Sequence, residues 1–264
     1  MSEIIVVTSG KGGVGKTTTS ANIGTGLALA GKRVAMLDAD IGLRNLDVIV
    51  GLENRIVYDL IDVVEGHCRL KQALIRDKRC ENLFLLPAAQ TKDKDAVNPE
   101  QMQKLCQNLR EEDFDYVIID CPAGIEQGFR NAIAGADRAI VVTTPEVSAV
   151  RDADRVIGML NANGLGSPML ILNRIRPQLV KNGDMMSVED VSEILAVNIL
   201  GIVPDDESIV VCANKGEPAV VSADSLAGKA YRNIVQRIIG HEVPFLDLDK
   251  KETFTDKLKK LFKK

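Results

Sequence analysis

The chain has 264 residues, of which 45% are hydrophobic, with five cysteines and a formal net charge of −4. This length and apolar share suit one domain with a single core. The cysteines are odd in number and never spaced CxxC, which argues against a disulfide framework, a zinc ribbon or a thioredoxin-like centre. Because the chain has no apolar run of about 18 residues and no basic, apolar leader, we expect a cytoplasmic protein.

The charge is unevenly distributed along the chain. Residues 250–264 hold seven Lys against Glu252 and Asp256, a net charge of +5, whereas the other 249 residues hold 26 basic and 35 acidic groups, a net charge of −9. An acidic body is a poor binder of DNA phosphates, and a short basic tail favours an anionic surface.

Short runs rich in Val and Ile alternate with helical patterns, which predicts repeated βαβ units and a parallel sheet buried on both faces. Strands are predicted at Ile4 to Thr8, Arg33 to Asp38, Leu83 to Pro87, Tyr116 to Asp120, Ala139 to Thr143, Met169 to Asn173 and Ile199 to Val203. Helices are predicted at Lys16 to Ala30, Pro99 to Arg110, Ile125 to Gly135, Val147 to Asn161, Ser187 to Leu195 and Ala223 to Ile239. We expect a doubly wound α/β domain over residues 1–244, with a mostly parallel sheet of about seven to eight strands and helices on both faces. A linker and an amphipathic helix are expected over residues 245–264.

The first predicted strand leads into a glycine-rich loop that matches GxxxxGK[ST], a motif that requires a strand before it and a helix after it. Its residues are Gly10, Lys11, Gly12, Gly13, Val14, Gly15, Lys16 and Thr17. Glycines let the backbone N–H groups face phosphates, Lys16 would reach the β and γ phosphates, and Thr17 would offer its hydroxyl to Mg²⁺. We therefore expect Gly10 to Thr18 to bind ATP and Mg²⁺. A glycine-rich turn without a ligand would need neither Lys16 nor Thr17.

Lys11 is a second lysine in this loop, and on its own it could be a solvated surface residue. The run KGGVGKTT resembles the deviant Walker A motif of the ParA/MinD family. The resemblance implies a P-loop NTPase fold and a face-to-face homodimer that forms with ATP. It also implies that Lys11 reaches the partner subunit's nucleotide and stabilises phosphate charge, as an arginine finger does elsewhere.

Two carboxylates, Asp38 and Asp40, follow the second predicted strand, at the edge of the sheet where ligands of open α/β folds bind. They suit metal or water chemistry, although one of them, Asp38, could instead cap the following turn. The resemblance makes this segment switch I. It implies that Asp40 positions or activates the attacking water, and that Asn45 lies near the nucleotide and the partner subunit.

A third carboxylate, Asp120, ends the buried run YVIID and is followed by a loop containing Pro122 and Gly124. This pattern is typical of a Walker B strand and switch II, with Asp120 holding Mg²⁺ through water, although a buried strand ending in Asp also occurs for purely structural reasons. The resemblance implies base contacts at Asn173 and Pro204. It also favours ATP over GTP. The sequence has no NKxD motif of the GTPase type, but motif spacing alone does not decide between the two nucleotides.

The last fifteen residues, KKETFTDKLKKLFKK, have the pattern of an interfacial helix. In a helix, Phe254, Leu258, Leu261 and Phe262 would fall within an arc of about 100°, with lysines on the opposite side. Such a helix suits an anionic membrane leaflet. The alternatives are a helix that packs onto the body and a solubilising tail.

Other stretches resemble the septum-placing branch of the same family, among them PAAQTKDKDA, TTPEVSAVRDADR, GDMMSVEDV, NKGEP and the closing LKKLF. This resemblance implies a division-site regulator that is peripheral on the inner face of the cell membrane with ATP. It implies recruitment of the inhibitor MinC and release by MinE. The implied partner surface comprises Glu146, Arg151, Asp152 and Asp154, with Glu146 near Lys11. These could also be ordinary exposed residues that open a helix, with Ser148 as its cap.

The sequence also bears on four alternative functions. A DNA-segregation scaffold of the ParA type would need basic residues spread over its body, so nucleic acid is not an expected partner. A flagellar-placement relative would carry an N-terminal extension. A metal-cluster carrier or reductase would need paired cysteines, and a small-molecule kinase or ligase has no use for a membrane tail.

Overall fold

The structure is a computed structural model that describes residues 2–92 and 96–248. Within these residues one sheet is formed by β1 (Glu3–Thr8), β2 (Val34–Asp38), β3 (Ile75–Arg76), β4 (Leu83–Leu86), β5 (Tyr116–Asp120), β6 (Arg138–Thr143), β7 (Met169–Ile175) and β8 (Ile199–Pro204). The order across the eight-stranded sheet is β3-β4-β2-β5-β1-β6-β7-β8. All neighbours are parallel except β3 and β4. The loops that follow β1, β2 and β5 therefore open side by side at one edge of the sheet.

The helices of the described residues cover this sheet. They are α1 (Lys16–Leu29), α2 (Leu46–Ile49), α3 (Leu60–Val64), α4 (Leu70–Ala73), α5 (Pro99–Arg110), α6 (Gln127–Ile133), α7 (Val147–Ala162), α8 (Pro177–Lys181), α9 (Val188–Leu195), α10 (Ser208–Asn214) and α11 (Leu226–Ile238). Short 3₁₀ turns lie at Glu53–Arg55 and Ala219–Val221. In this part of the chain, no helix combines the length and the apolar character that crossing a bilayer requires.

Local sequence explains where several helices begin. Asn98 accepts a hydrogen bond from Gln101 N at 2.9 Å and Pro99 occupies the first helical position, so α5 starts with a complete capping box. Ser225 caps α11 by accepting from Gly228 N at 2.8 Å.

The core has two layers, one on each face of the sheet. In the central strand β1, Ile4 and Val6 contribute to the layer under α5, α6, α7 and α9. Ile5 and Val7 point the other way, into the layer under α1 and α11. Because side chains alternate along a strand, a continuous apolar run such as this one is buried on both sides.

The predicted fold class is confirmed, and the differences concern short elements. The helix expected at Ile125 to Gly135 is shorter, spanning Gln127–Ile133. Strand β3 and helices α2, α3, α4, α8 and α10 were not predicted. Each is two to seven residues long, too short for a helical or alternating pattern to stand out.

The end of the described chain is held to the domain by Arg237. Its Nε donates to Val243 O at 2.9 Å, its Nη2 donates to Pro244 O at 2.9 Å, and its guanidinium lies 4.4 Å from the centroid of the Phe245 ring. The boundary expected after residue 244 stays a prediction. The proposed membrane residues Phe254, Leu258, Leu261 and Phe262 lie outside the described residues.

Candidate functional site

The loop between β1 and α1 takes its shape from glycines. Gly13 and Gly15 have φ values of +81° and +93°, a left-handed region that residues with a Cβ rarely adopt. A Cβ on Gly15 would lie 2.3 Å from Asn173 Nδ2. The same Nδ2 donates to Val14 O at 2.8 Å. Asn173, predicted as a base contact, therefore also holds the loop from the end of β7.

Lys16, the first residue of α1, is buried against the end of β5. Its Nζ lies 3.2 Å from Asp120 Oδ1 and 3.4 Å from Thr17 Oγ1. Ser20 Oγ donates to the same Asp120 oxygen at 2.8 Å. Burial lowers the pKa of Lys16, but the charges of Asp120 and Asp40 outweigh burial, so the pKa is raised. The ammonium group is therefore charged in the folded protein.

The same residues fit a magnesium ion. Thr17 Oγ1 and Asp120 Oδ1 contact one ammonium nitrogen, so the two oxygens border the same small space. Asp120 Oδ2 is buried and has no hydrogen-bond partner among the described residues. Hydroxyl and carboxylate oxygens are ligands of Mg²⁺, which usually completes its shell with water and phosphate oxygens. Thr17 and Asp120 are the two residues predicted from the sequence as metal ligands, and that role stays a prediction.

Asp38, at the end of β2, shapes the segment that follows. It accepts hydrogen bonds from the backbone N–H groups of Asp40 and Leu46, at 3.0 and 3.2 Å. Burial, followed by the negative charge of Asp120, raises the pKa of Asp38 to about 7. Asp38 thus performs the turn-capping role weighed as an alternative. Asp40 is buried beside it, 9% exposed, at the edge of the sheet that carries Lys16.

The segment after β5 packs against the glycine-rich loop. Cys121 N donates to Val7 O at 3.0 Å, and Gly124 N donates to Ser9 O at 3.1 Å. Cys121 is fully buried, and burial raises the pKa of its thiol to about 12. The thiol is therefore neutral near pH 7. The two backbone hydrogen bonds bring the predicted switch II segment into direct contact with β1 and the start of the loop.

Lys11 lies on the surface and contacts α7. Its Nζ donates to Ser148 Oγ at 3.3 Å. The N-cap residue of α7 is Glu146, and Ser148 lies within the first turn, so the alternative interpretation of Ser148 as the cap is wrong. A Cβ on Gly10 would lie 2.3 Å from Asp152 O. The loop and the first turns of α7 therefore form one packed unit.

The predicted partner surface lies on those turns of α7. Glu146, Arg151 and Asp154 are exposed, and Asp152 is half-buried. Because Gly10 and Lys11 contact the same turns, a protein bound to this face of α7 would lie beside the phosphate loop. The assignment of these residues to a partner stays a prediction.

A cavity of about 120 Å³ lies next to the loop, where a base attached to loop-bound phosphates could fit. It is lined by Gly15, Thr18, Asn173, Arg174, Pro204, Asp205, Asp206, Ile209, Val210 and Tyr231. Arg174 has a φ of +58°, so its backbone is held in an unusual conformation at the cavity wall. The predicted base residues Asn173 and Pro204 meet here. Asn45, predicted near the nucleotide, is an exposed residue at the start of α2 and does not line this cavity.

Several residues of this site were not predicted from the sequence. Ser20, one turn after Lys16 on α1, binds Asp120, and Ile209, Val210 and Tyr231 form the apolar part of the cavity. The apolar pair Ile209 and Val210 follows soon after the strand that ends at Pro204. Apolar residues at that position are a signal that could have indicated a cavity wall. Tyr231 carried no such signal, because its position depends on how α11 packs.

Comparison with known proteins identifies the family. A family model described as ParA, NUBPL iron-transfer P-loop NTPase, matches residues 1–239. The septum site-determining protein MinD of Bacillus subtilis (strain 168) is 59% identical over 251 residues, which cover 94% of this chain and 93% of that protein. The chain belongs to the ParA/MinD family of P-loop ATPases. The predicted family is confirmed.

Solved structures of the ParA/MinD family support the same fold. The MinC:MinD cell division protein complex of Aquifex aeolicus aligns with a TM-score of 0.87 and 48% identity over 92% of this chain and 98% of that chain. The septum site-determining protein MinD complexed with Mg-ADP from Pyrococcus horikoshii OT3 aligns with a TM-score of 0.81 and 29% identity, covering 90% and 96% of the two chains. Among the residues described for the present chain, no group of three or more His, Cys, Asp or Glu side chains is placed to hold a metal ion.

Proposed function

We propose that this protein is a switch in which ATP binding drives dimerisation, dimerisation drives membrane binding, and the membrane-bound dimer helps to position the division septum. The observation that carries the proposal is the arrangement of the loop. Lys16 is buried with Asp120 at its base, whereas Lys11 lies on the surface against α7. This arrangement supports a role for Lys16 at the protein's own nucleotide, and a role for Lys11 at a partner subunit's nucleotide once Lys11 leaves Ser148.

The hydrolytic step follows from the positions of the charged groups. Lys16 Nζ lies 3.2 Å from Asp120 Oδ1. Phosphates of ATP that enter the loop would offer Lys16 a second anionic partner. Thr17 and Asp120 would hold Mg²⁺, which would neutralise part of the negative charge of the phosphates. Asp40 is proposed to orient the water that attacks the γ-phosphorus. The bond between that phosphorus and the bridging oxygen breaks, which gives ADP and inorganic phosphate.

Slow turnover by the monomer is part of the proposal. Although Lys11 is a loop residue, its ammonium group donates to Ser148 of its own chain, on α7, at 3.3 Å. The charge therefore lies against α7 and away from Lys16. A cation supplied by a second subunit raises the rate of phosphoryl transfer in related mechanisms by about 10³–10⁵. Reciprocal delivery of Lys11 by two copies would therefore link hydrolysis to dimerisation.

The proposed output is the C-terminal segment. Burying four large apolar side chains, Phe254, Leu258, Leu261 and Phe262, is worth roughly 6–12 kcal/mol before ordering costs are subtracted. One copy would bind a membrane marginally, whereas two linked copies gain roughly 10²–10⁴ in avidity. The net charge of +5 over residues 250–264 favours anionic lipid.

The cell-division role and its partners come to this chain from its relatives. The Bacillus subtilis relative is a septum site-determining protein, and the Aquifex aeolicus relative occurs in a complex with MinC. We propose that Arg151, Asp152, Asp154 and Glu146 form the surface that binds MinC and the activator MinE in turn. Their location beside Lys11 supports this, because a protein bound there could act on the loop.

The proposal is tested by sedimentation with anionic liposomes, in ATP and in ADP. The protein is expected to sediment in ATP only, and the variant Phe254→Glu/Leu258→Glu is expected to stay in solution. The matched control is Val57→Glu/Val221→Glu, which changes two apolar side chains that are 77% and 51% exposed elsewhere on the domain and should sediment normally. Sedimentation of Phe254→Glu/Leu258→Glu with liposomes in ATP would contradict the membrane proposal. ATP-dependent retardation of DNA without liposome binding would favour a ParA-type segregation function.

A further inference from the structure

Two short helices meet end to end beside the nucleotide site, and their contact requires glycine on both sides. Gly51 follows α2 and Gly216 follows α10, with φ values of +66° and +65°. A Cβ on Gly216 would lie 2.7 Å from Gly51 Cα, and a Cβ on Gly51 would lie 2.8 Å from Gly216 O. This contact gives a physical reason for the glycine in the stretch NKGEP, which the ATPase site does not otherwise explain.

Arg79 joins the same two helix ends. Its Nη1 donates to Gly216 O at 3.0 Å, and its Nη2 donates to the carbonyl oxygen of Val50, the C-cap residue of α2. The buried Asp77 holds the arginine, accepting from Arg79 N at 2.7 Å and lying 3.3 Å from Nη2. A guanidinium is planar and presents several donors in a fixed fork, so one side chain can bind both carbonyls at once.

The two joined helices belong to opposite sides of the nucleotide site. The segment that ends in α2 starts at Asp38, which accepts from Leu46 N at 3.2 Å. Helix α10 carries Ile209 and Val210, which line the cavity proposed for the base. Arg79 therefore connects the carboxylate side of the site to the base side.

The turn after Gly216 is also tied to the phosphate loop helix. Val220 N donates to Asn22 Oδ1 at 2.7 Å, and Asn22 Nδ2 donates to Thr18 O at 2.8 Å. Thr18 is the last residue of the predicted phosphate-binding loop. The α10 side of the Arg79 bridge is thus bonded to α1, so a shift at Gly216 would be transmitted to the loop.

We propose that Arg79 is a positioning residue for nucleotide retention, which acts by fixing the segment from Asp38 to Val50 against α10. It touches neither the loop nor the cavity, and it acts through the two carbonyls. Without it, the cavity wall and the Asp38 segment can move apart, and the nucleotide leaves faster. The inference depends on nucleotide binding alone and is independent of membrane binding, dimerisation and septum placement.

The test compares Arg79→Ala, Arg79→Lys and Arg76→Ala with the unchanged full-length chain. Arg76 is the matched control because its side chain is similarly exposed, 55% against 47%. Among residues 2–92 and 96–248, its side chain donates hydrogen bonds only to Glu81, at 2.7 and 2.9 Å. Release of fluorescently labelled ADP is measured by stopped flow, and KM and kcat for ATP are measured at one protein concentration.

Loss of charge-assisted bonds predicts that Arg79→Ala releases ADP about ten-fold faster and raises KM for ATP by a similar factor, with kcat within about two-fold of the unchanged chain. Arg79→Lys should restore part of the retention, because a single ammonium keeps the charge but cannot reproduce the fork. Arg76→Ala should release ADP at the original rate.

A role limited to stability would lower the melting temperature and leave these nucleotide constants unchanged. Release rates and KM values for Arg79→Ala within about two-fold of those for Arg76→Ala would overturn the proposal, whatever the melting temperature. If Arg79→Ala does not fold, Arg79→Lys decides alone. If Arg79→Lys releases ADP at the same rate as the unchanged chain, the proposal is contradicted. Faster release of ADP by Arg79→Lys would support it.

Discussion

Lys16 and Asp120 form a buried ion pair, with Nζ 3.2 Å from Oδ1 and side-chain exposures of 6% and 1%. The two residues are 104 positions apart, and they meet because β1 and β5 are neighbours in the sheet. The pair joins the start of the phosphate loop helix to the end of the strand expected to hold Mg²⁺. Phosphates that enter the loop therefore meet a cation that already has a partner.

Asp120→Ala should destabilise the nucleotide-free protein by about 3–5 kcal/mol, because the charge of Lys16 would stay buried without its partner. The double variant Lys16→Met/Asp120→Ala should lose less, since no unpaired charge remains. Urea unfolding in the presence of a metal chelator measures both. A double variant at least as unstable as the single variant would contradict the explanation.

Gly15→Ala should weaken ATP binding by at least about ten-fold, because a Cβ there strains the backbone and displaces Asn173 from Val14. The structural reasons are the φ of +93° and the 2.3 Å approach to Asn173 Nδ2. Titration with a fluorescent ATP analogue measures the affinity. Gly158→Ala is the control, since a Cβ at Gly158 meets nothing within 4 Å. Equal affinities for the two variants would contradict this account of the loop.

Stability should depend on pH through Asp38, whose folded-state pKa is raised from 3.8 to about 7 by burial and by the charge of Asp120. Between about pH 4 and pH 7 the folded state keeps a proton that the unfolded state has lost, so stability falls as pH rises across this window. Asp38→Asn cannot titrate. The stability of the variant relative to the original should therefore be higher at about pH 8 than at about pH 5. At both pH values the variant should also lose a constant amount of stability, because an amide oxygen accepts hydrogen bonds less strongly than a carboxylate.

Thermal unfolding of both proteins without nucleotide, at the two pH values, measures this difference. A stability difference between Asp38→Asn and the original that stays constant from about pH 5 to about pH 8 would rule out titration of Asp38 in this range. The direction of the change is the decisive result, because Asp40, Asp120 and Lys16 share the same buried region and affect its size.

Lys11→Ala should remove the dependence of specific ATPase activity on protein concentration. In the original protein with lipid present, specific activity should rise with concentration, because two copies must meet before Lys11 reaches a phosphate. Lys229→Ala, a change of an exposed lysine on α11, should behave like the original. Strict proportionality between rate and enzyme in the original, with no effect of Lys11→Ala, would refute catalysis by a second subunit.

Much of the fold could be predicted from the sequence, because its strands are continuous Val and Ile runs and its long helices have clear ends. The phosphate loop was equally accessible, since the glycines and Lys16 occur at fixed spacing within nine residues. The pairing of Lys16 with Asp120 was not, because it depends on which strands become neighbours. A linear pattern carries little information about strand order.

The rest of the site is built from short or distant elements. Helix α10 has seven residues, and α2 has four, so neither produces a helical period long enough to recognise. Tyr231 reaches the cavity from α11, and its hydroxyl lies 3.1 Å from Thr19 Oγ1. Burial raises the pKa of Tyr231 to about 12, so this contact is between neutral groups. Contacts of this kind follow from packing and have no local sequence signature.

The most direct test of the proposed switch is the oligomeric state of Asp40→Ala measured by light scattering after gel filtration, in ATP and in ADP. Removal of the group proposed to orient water should slow hydrolysis by about 10²–10⁴ while nucleotide binding is kept. The account predicts a dimer in ATP, a monomer in ADP, and a monomer in both nucleotides when Lys11→Ala is added. A monomer in ATP, or a dimer that persists in ADP, would contradict it.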